Sequence, residues 1–459
     1  MNQSFKAGLA RIDITPPPGT IINGDFIVRR ANSIHDSLYV AAMVMKKDFV
    51  WTAIVLADVC AMSKSFLDEV KRDISMSTPL KAENILIAST HAHSTGSVAD
   101  IFLSSPDFNY MAQLRKKIVE AVAAAKENIE DAKVAFGRVE APEHAVCRRY
   151  FMKKGYKPYN PVTNSFDKVK TNPLGDEHLI ETRVAQTDIG LNYVAIKSLD
   201  DRWLGLLANY SLHYVGDCAP DSISSDYFGK FRTMIAEDLG AGEDFVAIMS
   251  NGTSGDVNIW DFIEPGRYPK KEHEKSTLIA RDLARKVAQS IHLLDWQHNP
   301  ALDAAYAEVE IKVRKPSTTD FEISKRVMDD TDYSQLQVYE NGRIIEDSIR
   351  RIYAREQVLL NEYPDRILFP VQAIKLGSGI IGGLGGEFFS KTGLLLKHEF
   401  GKYTFFTVTM ANGYVGYVPP ENEMRLGGYE TWRCRTSFLE REAEQIIRQK
   451  LSVLVNKIR

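Results

Sequence analysis

The chain is short of cysteine and has no long apolar run, and each shortage closes a class of explanation. Its four cysteines, Cys60, Cys147, Cys218 and Cys434, are scattered over 459 residues with no C-x-x-C pair. That spacing fits reduced, partly buried thiols rather than a disulfide framework. No stretch approaches the roughly 18 consecutive apolar residues of a membrane span. The opening residues, MNQSFKAGLARIDITPP, lack the apolar centre of a signal peptide. The expected location is therefore cytoplasmic, unless a leader has been removed. Net charge is only −3, so no basic field points to nucleic acid as a partner. There is no G-x-x-x-x-G-K-[ST] phosphate loop and no G-x-S-x-G nucleophile elbow. Internal repeats, low-complexity segments and an evident interdomain linker are also missing.

What remains is a globular composition. Apolar residues make up 44% and charged residues 25%, enough to build a large core. Apolar or alternating runs predict strands at Leu9–Ile14, Tyr39–Met45, Trp51–Leu56, Ile85–Ala88, Val134–Val139, Tyr193–Ser198, Leu204–Asn209, Phe245–Met249, Tyr306–Val313, Val371–Leu376 and Tyr403–Thr409. Amphipathic stretches predict helices at Phe108–Ile129, Phe228–Leu239, His273–Leu293, Ser348–Asn361 and Phe438–Ile458. Strands alternating with helices indicate an α/β fold with mixed β-sheets and flanking helices. We read residues 1–459 as one catalytic domain. The stretch YKPYNPVTNSFDKVKTNPLGDE is expected to be irregular: a lid, a binding loop or a plain surface insertion.

The stretch ILIASTHAHSTGS, residues 85–97, carries the first chemical signal. A buried-looking strand ends in His91 and His93. On extended backbone, residues i and i+2 share a face, so H-x-H can aim two imidazoles at one point. The carboxyl end of a strand is also where ligands bind in open α/β sheets. The run LGLLANYSLHYVGD delivers His213 in the same way. Two histidines and a carboxylate, with a position left for water, make a common zinc site. The run IIGGLGGEFFSKTG offers Glu387 after a glycine-rich turn and before a helix. Each has a plain alternative: a satisfied core histidine for His213, a helix-dipole partner for Glu387. Tyr414, Tyr417 and Tyr429 lie in a Gly- and Pro-rich segment and are either packing residues or phenols that bind metal or an oxyanion. Arg148 and Arg149 can orient a polar substrate group or simply be solvated. Asp226 and Asp256 can support the site or cap a helix.

Taken in order, these elements resemble the catalytic domain of the neutral (non-lysosomal) ceramidase family. The likeness runs through Leu9–Thr15 (LARIDIT), Leu56–Cys60 (LADVC), Thr90–Ser94 (THAHS), Cys147–Arg149, His213, Ser225–Gly229, Gly385–Phe388 (GGEF), Asn412–Val418 (NGYVGYV) and Tyr429. It spans residues from about 8 to about 440, most of the chain. The resemblance implies a zinc-dependent amidohydrolase of lipid metabolism with one catalytic Zn²⁺ per chain, acting on linear amides. By position it implies His91, His213, Glu387 and Tyr417 as metal ligands. It places His93, Arg148 and Tyr429 at the reacting centre, His93 as proton shuttle and Tyr429 and Arg148 on the carbonyl or oxyanion. The sequence also departs from the family. The serine given a catalytic role there falls on Gly252, the S-x-G-P-G-G loop reads Ser94-Thr95-Gly96-Ser97-Val98, and the C-terminal immunoglobulin-like domain has no counterpart in this sequence. Three readings follow: a ceramidase-like amidase on a lipid amide, a hydrolase of a small polar or sugar-linked substrate, and a non-catalytic metal-containing binding protein.

Overall fold

The computed structural model describes residues 4–459. The large sheet contains eight strands: β1 (Lys6–Asp13), β2 (Tyr39–Lys47), β3 (Val50–Ala57), β4 (Ile85–Ser89), β5 (Glu130–Glu140), β6 (Gly190–Ser198), β7 (Trp203–Tyr210) and β8 (Val246–Asn251). Their order across the sheet is β8-β7-β6-β5-β1-β2-β3-β4. A second sheet holds four strands in chain order: β9 (Leu302–Lys312), β10 (Arg366–Leu376), β11 (Gly379–Leu384) and β12 (Thr404–Val408). The principal helices are α1 (Lys64–Ser77), α2 (Phe108–Glu127), α3 (Asp226–Asp238), α4 (Glu274–Ser290), α5 (Thr318–Asp329), α6 (Glu346–Asn361), α7 (Ser390–Glu399) and α8 (Ala443–Ile458).

Strand alternation sets the layers. In β2, Val40, Ala42 and Val44 pack with α1 and α2, while Ala41, Met43 and Met45 face the other way. That inner face meets Ile374, Leu376, Ile381, Phe406 and Val408 of the small sheet. On the β6–β8 side, α3 and α4 cover the outer face. The small sheet's outer face is covered by α8, with α7 at its side. The result is helices, sheet, sheet, helices: mixed sheets flanked by helices, with both sheets sharing one interior.

Most neighbouring strands are antiparallel, but β3–β4, β7–β8 and β11–β12 are parallel. A parallel pair needs a crossover, and α1, α3 and α7 supply it. The first two pairs lie at opposite edges of the large sheet, yet β8 touches β4. Residues 409–412 stitch the edges together. Thr409 N donates to Asn251 O at 3.0 Å, Ser89 N to Met410 O at 3.4 Å and Asn412 N to Ile87 O at 2.7 Å. The carboxyl ends of the parallel pairs thus converge.

Two sequence expectations change. The helix expected over Phe438–Ile458 begins at Ala443, because Leu439 bridges Val313 and Glu440 N donates to Lys312 O at the end of β9. The glycine-rich turn before Glu387 shrinks to Gly385–Gly386, since residues 379–384 form β11. Gly382 and Gly383 sit inside that strand because an added Cβ would lie 2.9 Å from Leu451 and from Leu86 respectively. Their missing side chains let β11 lie close to α8 on one side and β4 on the other.

Candidate metal centre

His91 follows β4 with φ +67°, a left-handed conformation that ends the strand and turns the chain. H-x-H therefore works here through a turn rather than through strand alternation. The two imidazoles still meet, with their Nε2 atoms 3.3 Å apart. His91 Nδ1 donates to the Cys60 carbonyl at 2.8 Å, and His93 Nδ1 donates to the Gly24 carbonyl at 2.8 Å. A carbonyl only accepts, so both Nδ1 atoms carry the proton and both Nε2 atoms face inward. This is how second-neighbour carbonyls orient metal-binding imidazoles.

His213 arrives three residues beyond β7. Its Nε2 lies 3.0 Å from His93 Nε2, and Arg148 Nη1 donates to its Nδ1 at 2.9 Å. Glu387 stands in a two-residue strand, Glu387–Phe388, paired in parallel with Tyr417–Val418. Tyr414 donates its hydroxyl to Glu387 Oε1 at 2.8 Å. Glu387 Oε2 lies 3.4 Å from His91 Nε2 and 3.8 Å from His213 Nδ1, but it has no hydrogen-bond partner. One donor atom each from His91, His213 and Glu387 fall within 4.8 Å of one another, all buried. The inward Nε2 lone pairs of His91 and His93 and the orphaned Glu387 oxygen need a positive charge between them. The residues therefore fit a divalent cation, and histidine with carboxylate is a donor set that suits zinc.

Without the ion, charge inside the cluster redistributes. Burial opposes protonation of His91, but Glu387 overrides it and holds its pKa well above the ordinary value. Burial likewise opposes ionisation of Glu387, but His91 and Arg148 hold it below the usual carboxylate range. Burial pushes His93 and His213 well below ordinary, reinforced by His91 and Arg148.

The remaining expected residues sit around this cluster. Arg148 is buried and fully engaged: Nε donates to Glu430 Oε1 and Nη2 to Gly255 O, each at 2.8 Å. Its guanidinium lies 5.2 Å from the centre of the Tyr417 ring and 5.9 Å from that of Tyr429. Tyr417 thus turns to Arg148, and the hydroxyl bonded to Glu387 is that of Tyr414. Tyr429 is half-buried and packs edge-on against Tyr417 and Phe26. His93 and Tyr414 are likewise half-buried, so these three border the open side. Asp226 Oδ2 accepts from His93 N at 3.3 Å, while Asp256 Oδ1 accepts from Ser390 N at 2.7 Å and caps α7. The segment expected to be irregular forms one short hairpin, Tyr159–Asn160 with Ser165–Phe166, and a two-residue strand, Lys170–Thr171, beside Arg149–Tyr150, and it buttresses the Tyr429 loop. Asp167 accepts from Gly428 N at 2.8 Å and Trp432 Nε1 at 2.7 Å, and Thr171 donates to Glu430. Gly252 lies where an added Cβ would come 2.4 Å from Ser211 Oγ.

Four contributors escape the sequence reading. Gly24, Arg29 and Cys60 hold His93 and His91 through carbonyls and a guanidinium. Glu430 bridges Arg148 and Arg149 from a fully buried position. None lies in a run with metal-ligand spacing. Only the neighbouring Tyr429 gave a signal near Glu430.

A scan against protein-family models finds no match, and a search of curated proteins finds none. Solved structures do share the architecture. The neutral ceramidase from Pseudomonas aeruginosa matches at TM-score 0.70 and 15% identity, over 98% of this chain and 74% of that one. A ceramidase complexed with C2 matches at TM-score 0.71 and 14% identity, with the same coverage. At such identities the likeness is one of backbone, and its conclusion is that this chain has the neutral ceramidase fold.

Proposed function

We propose that the protein is a zinc-dependent hydrolase of an amide or ester bond. The observation that carries this reading is the buried set His91, His213 and Glu387, with the unpartnered Glu387 Oε2 beside both imidazoles. A bound zinc ion would supply Lewis acidity to a carbonyl and to water. His93 holds Nδ1 on Gly24 and turns Nε2 towards His91 and His213, and burial holds its pKa well below the ordinary value, which keeps the imidazole neutral. Burial raises the Tyr429 phenol well above its ordinary pKa, so it remains a hydrogen donor at the half-open face. Arg148, fixed by Glu430, adds a buried positive charge beside Tyr429, suited to a developing oxyanion.

Fold analogy with ceramidases supports a linear lipid amide as substrate. One observation favours a shorter acyl group. Phe26, Phe102, Tyr353 and Trp432 pack ring against ring beside Tyr429 and fill the apolar wall there. The test is metal content of wild type and His213→Ala, run beside hydrolysis of N-acyl substrates from short chains to ceramide. About one zinc per chain, lost with activity in the variant, is the expected result. Activity that survives loss of the metal would sink the proposal, and the preferred chain length decides between the two substrates.

A further inference from the structure

One tryptophan stands open beside the centre. Trp260 is 44% exposed, whereas the other tryptophans are at least partly buried. Its edge and one face are held. Nε1 donates to Val215 O at 3.3 Å, and Lys275 Nζ lies 3.0 Å from the ring centre. Gly216, at φ +106°, lets the backbone pass close to the ring, since an added Cβ would lie 3.2 Å from Cζ2. Val215 is two residues beyond His213. Asn258, two residues before Trp260, donates its amide to Asn172 Oδ1 at 2.8 Å, and Asn172 N donates to Arg148 O at 2.9 Å. The indole is thus tied both to the chain that delivers His213 and to the chain that delivers Arg148. We propose that the open face of Trp260 sets leaving-group specificity: it stacks on an aromatic ring carried by the amine or alcohol that hydrolysis releases. This rests on the hydrolase reading above.

The argument starts from Lys275. This lysine is 1% exposed, and its Nζ has no hydrogen-bond partner. Burial lowers its pKa to about 8, against the attraction of Asp217, so the charge persists at neutral pH. A buried ammonium without acceptors is costly, and the indole face is what offsets the cost. Were Trp260 to swing away, the Tyr268 ring, 5.5 Å from Nζ, would be left as a poorer substitute. The contact therefore fixes the indole with its second face to solvent. An aromatic face held rigid in water loses little entropy on binding, which is the property of a binding anchor. Val215, exposed as well, extends the apolar rim beside it. The side of the centre at Tyr429 is closed by the rings of Phe26, Phe102, Tyr353 and Trp432, which leaves room there for a short acyl group. Trp260 belongs to another stretch of the rim and so meets the other half of the substrate. A flat, fixed face gains from offset stacking on another ring, whereas an alkyl chain gains only the burial of its area.

The test uses zinc-loaded protein and three amides with one short acyl group and different amines: methylamine, hexylamine and benzylamine. Trp260→Ala is expected to raise KM for the benzyl amide about 10-fold at unchanged kcat, and to leave the other two within about twofold. Trp260→Leu, which keeps apolar bulk without a flat face, should behave as alanine does. Trp260→Phe, which keeps a ring face, should recover most of the loss. A loss shared equally by the hexyl amide, or no loss on the benzyl amide, overturns the stacking role and leaves the hydrolase reading intact. No turnover by wild type of these amides or of the matching esters overturns the hydrolase reading instead. The benzyl amide then serves as an inert ligand for calorimetry. About 10-fold weaker binding in the alanine and leucine variants supports the stacking role, and equal binding, or none by wild type, overturns it.

Discussion

At the residue scale, His93 is held by neighbours that have no reactive chemistry of their own. Gly24 offers the carbonyl that fixes its tautomer, Arg29 Nη2 donates to its carbonyl at 2.8 Å, and Asp226 accepts its backbone N–H. Gly24 has φ +92°, and an added Cβ would fall 2.4 Å from His93 Nδ1. A side chain is thus excluded twice, by backbone conformation and by contact. Gly24→Ala is expected to push the imidazole off its carbonyl and lower turnover by about 100-fold, the scale of a lost acid–base group. The loss of stability should be only about 1–2 kcal/mol, from the left-handed backbone. Initial rates on the best substrate of the N-acyl series, beside urea unfolding, check both. Unchanged turnover would remove His93 from the chemistry.

At the element scale, the parallel pairs decide what the sequence could show. The runs ending in His91 and His213 are apolar because β4 and β7 are buried on both faces, so both strands and their terminal histidines are legible. β11 is not, because GIIGGL reads as a turn unless one sees that α8 and β4 press against its glycines. The helix α1 is hidden for another reason. KSFLDEVKRDISMS carries Lys71 within its buried stripe of Phe66, Leu67, Val70 and Ile74, which blurs the helical period. Burial drives the Lys71 pKa down from 10.5 to about 7, against the attraction of Asp68 and Glu308. The folded pKa lies below the unfolded one, so this lysine's contribution is fully present above about pH 10.5 and is lost as pH falls through about 7. Lys71→Met should therefore stabilise the protein most below pH 7, by about 2–5 kcal/mol at ~1.4 kcal/mol per tenfold change in proton affinity. The gain should shrink steadily towards pH 10. Urea midpoints at pH 6, 8 and 10 measure it, and a pH-independent difference would show that Lys71 keeps its charge hydrated.

At the scale of the whole molecule, the centre exists because both edges of one sheet and the end of another meet. His91, His213 and Glu387 come from three parallel pairs that no local pattern in the sequence relates, so residue chemistry alone offered them as candidates beside plain alternatives, and family resemblance joined them into one ligand set. Asn412 is the residue at which these pieces join. Its φ of +63° suits asparagine better than most side chains. Its Oδ1 accepts from Ile87 N at 3.1 Å in β4, and its Nδ2 donates to Gln372 Oε1 at 2.7 Å in β10. All three residues are buried. Asn412→Ala leaves an amide and a carbonyl oxygen unpaired, each costing about 1–3 kcal/mol, so a loss of roughly 2–6 kcal/mol is expected. The consequence for the site separates two views of the fold. If the two sheets are independent layers, the variant unfolds more easily but binds zinc as before. If the stitch between them fixes where β4 ends, His91 shifts relative to Glu387 and zinc affinity falls together with stability. Asn412→Asp, which keeps the acceptor for Ile87 and loses the donor to Gln372, should then lose stability while retaining more of the metal affinity than alanine does. Zinc affinity and urea midpoint measured on both variants decide it, and equal affinity in all three proteins would show that the strand end is set by β3 and β4 alone.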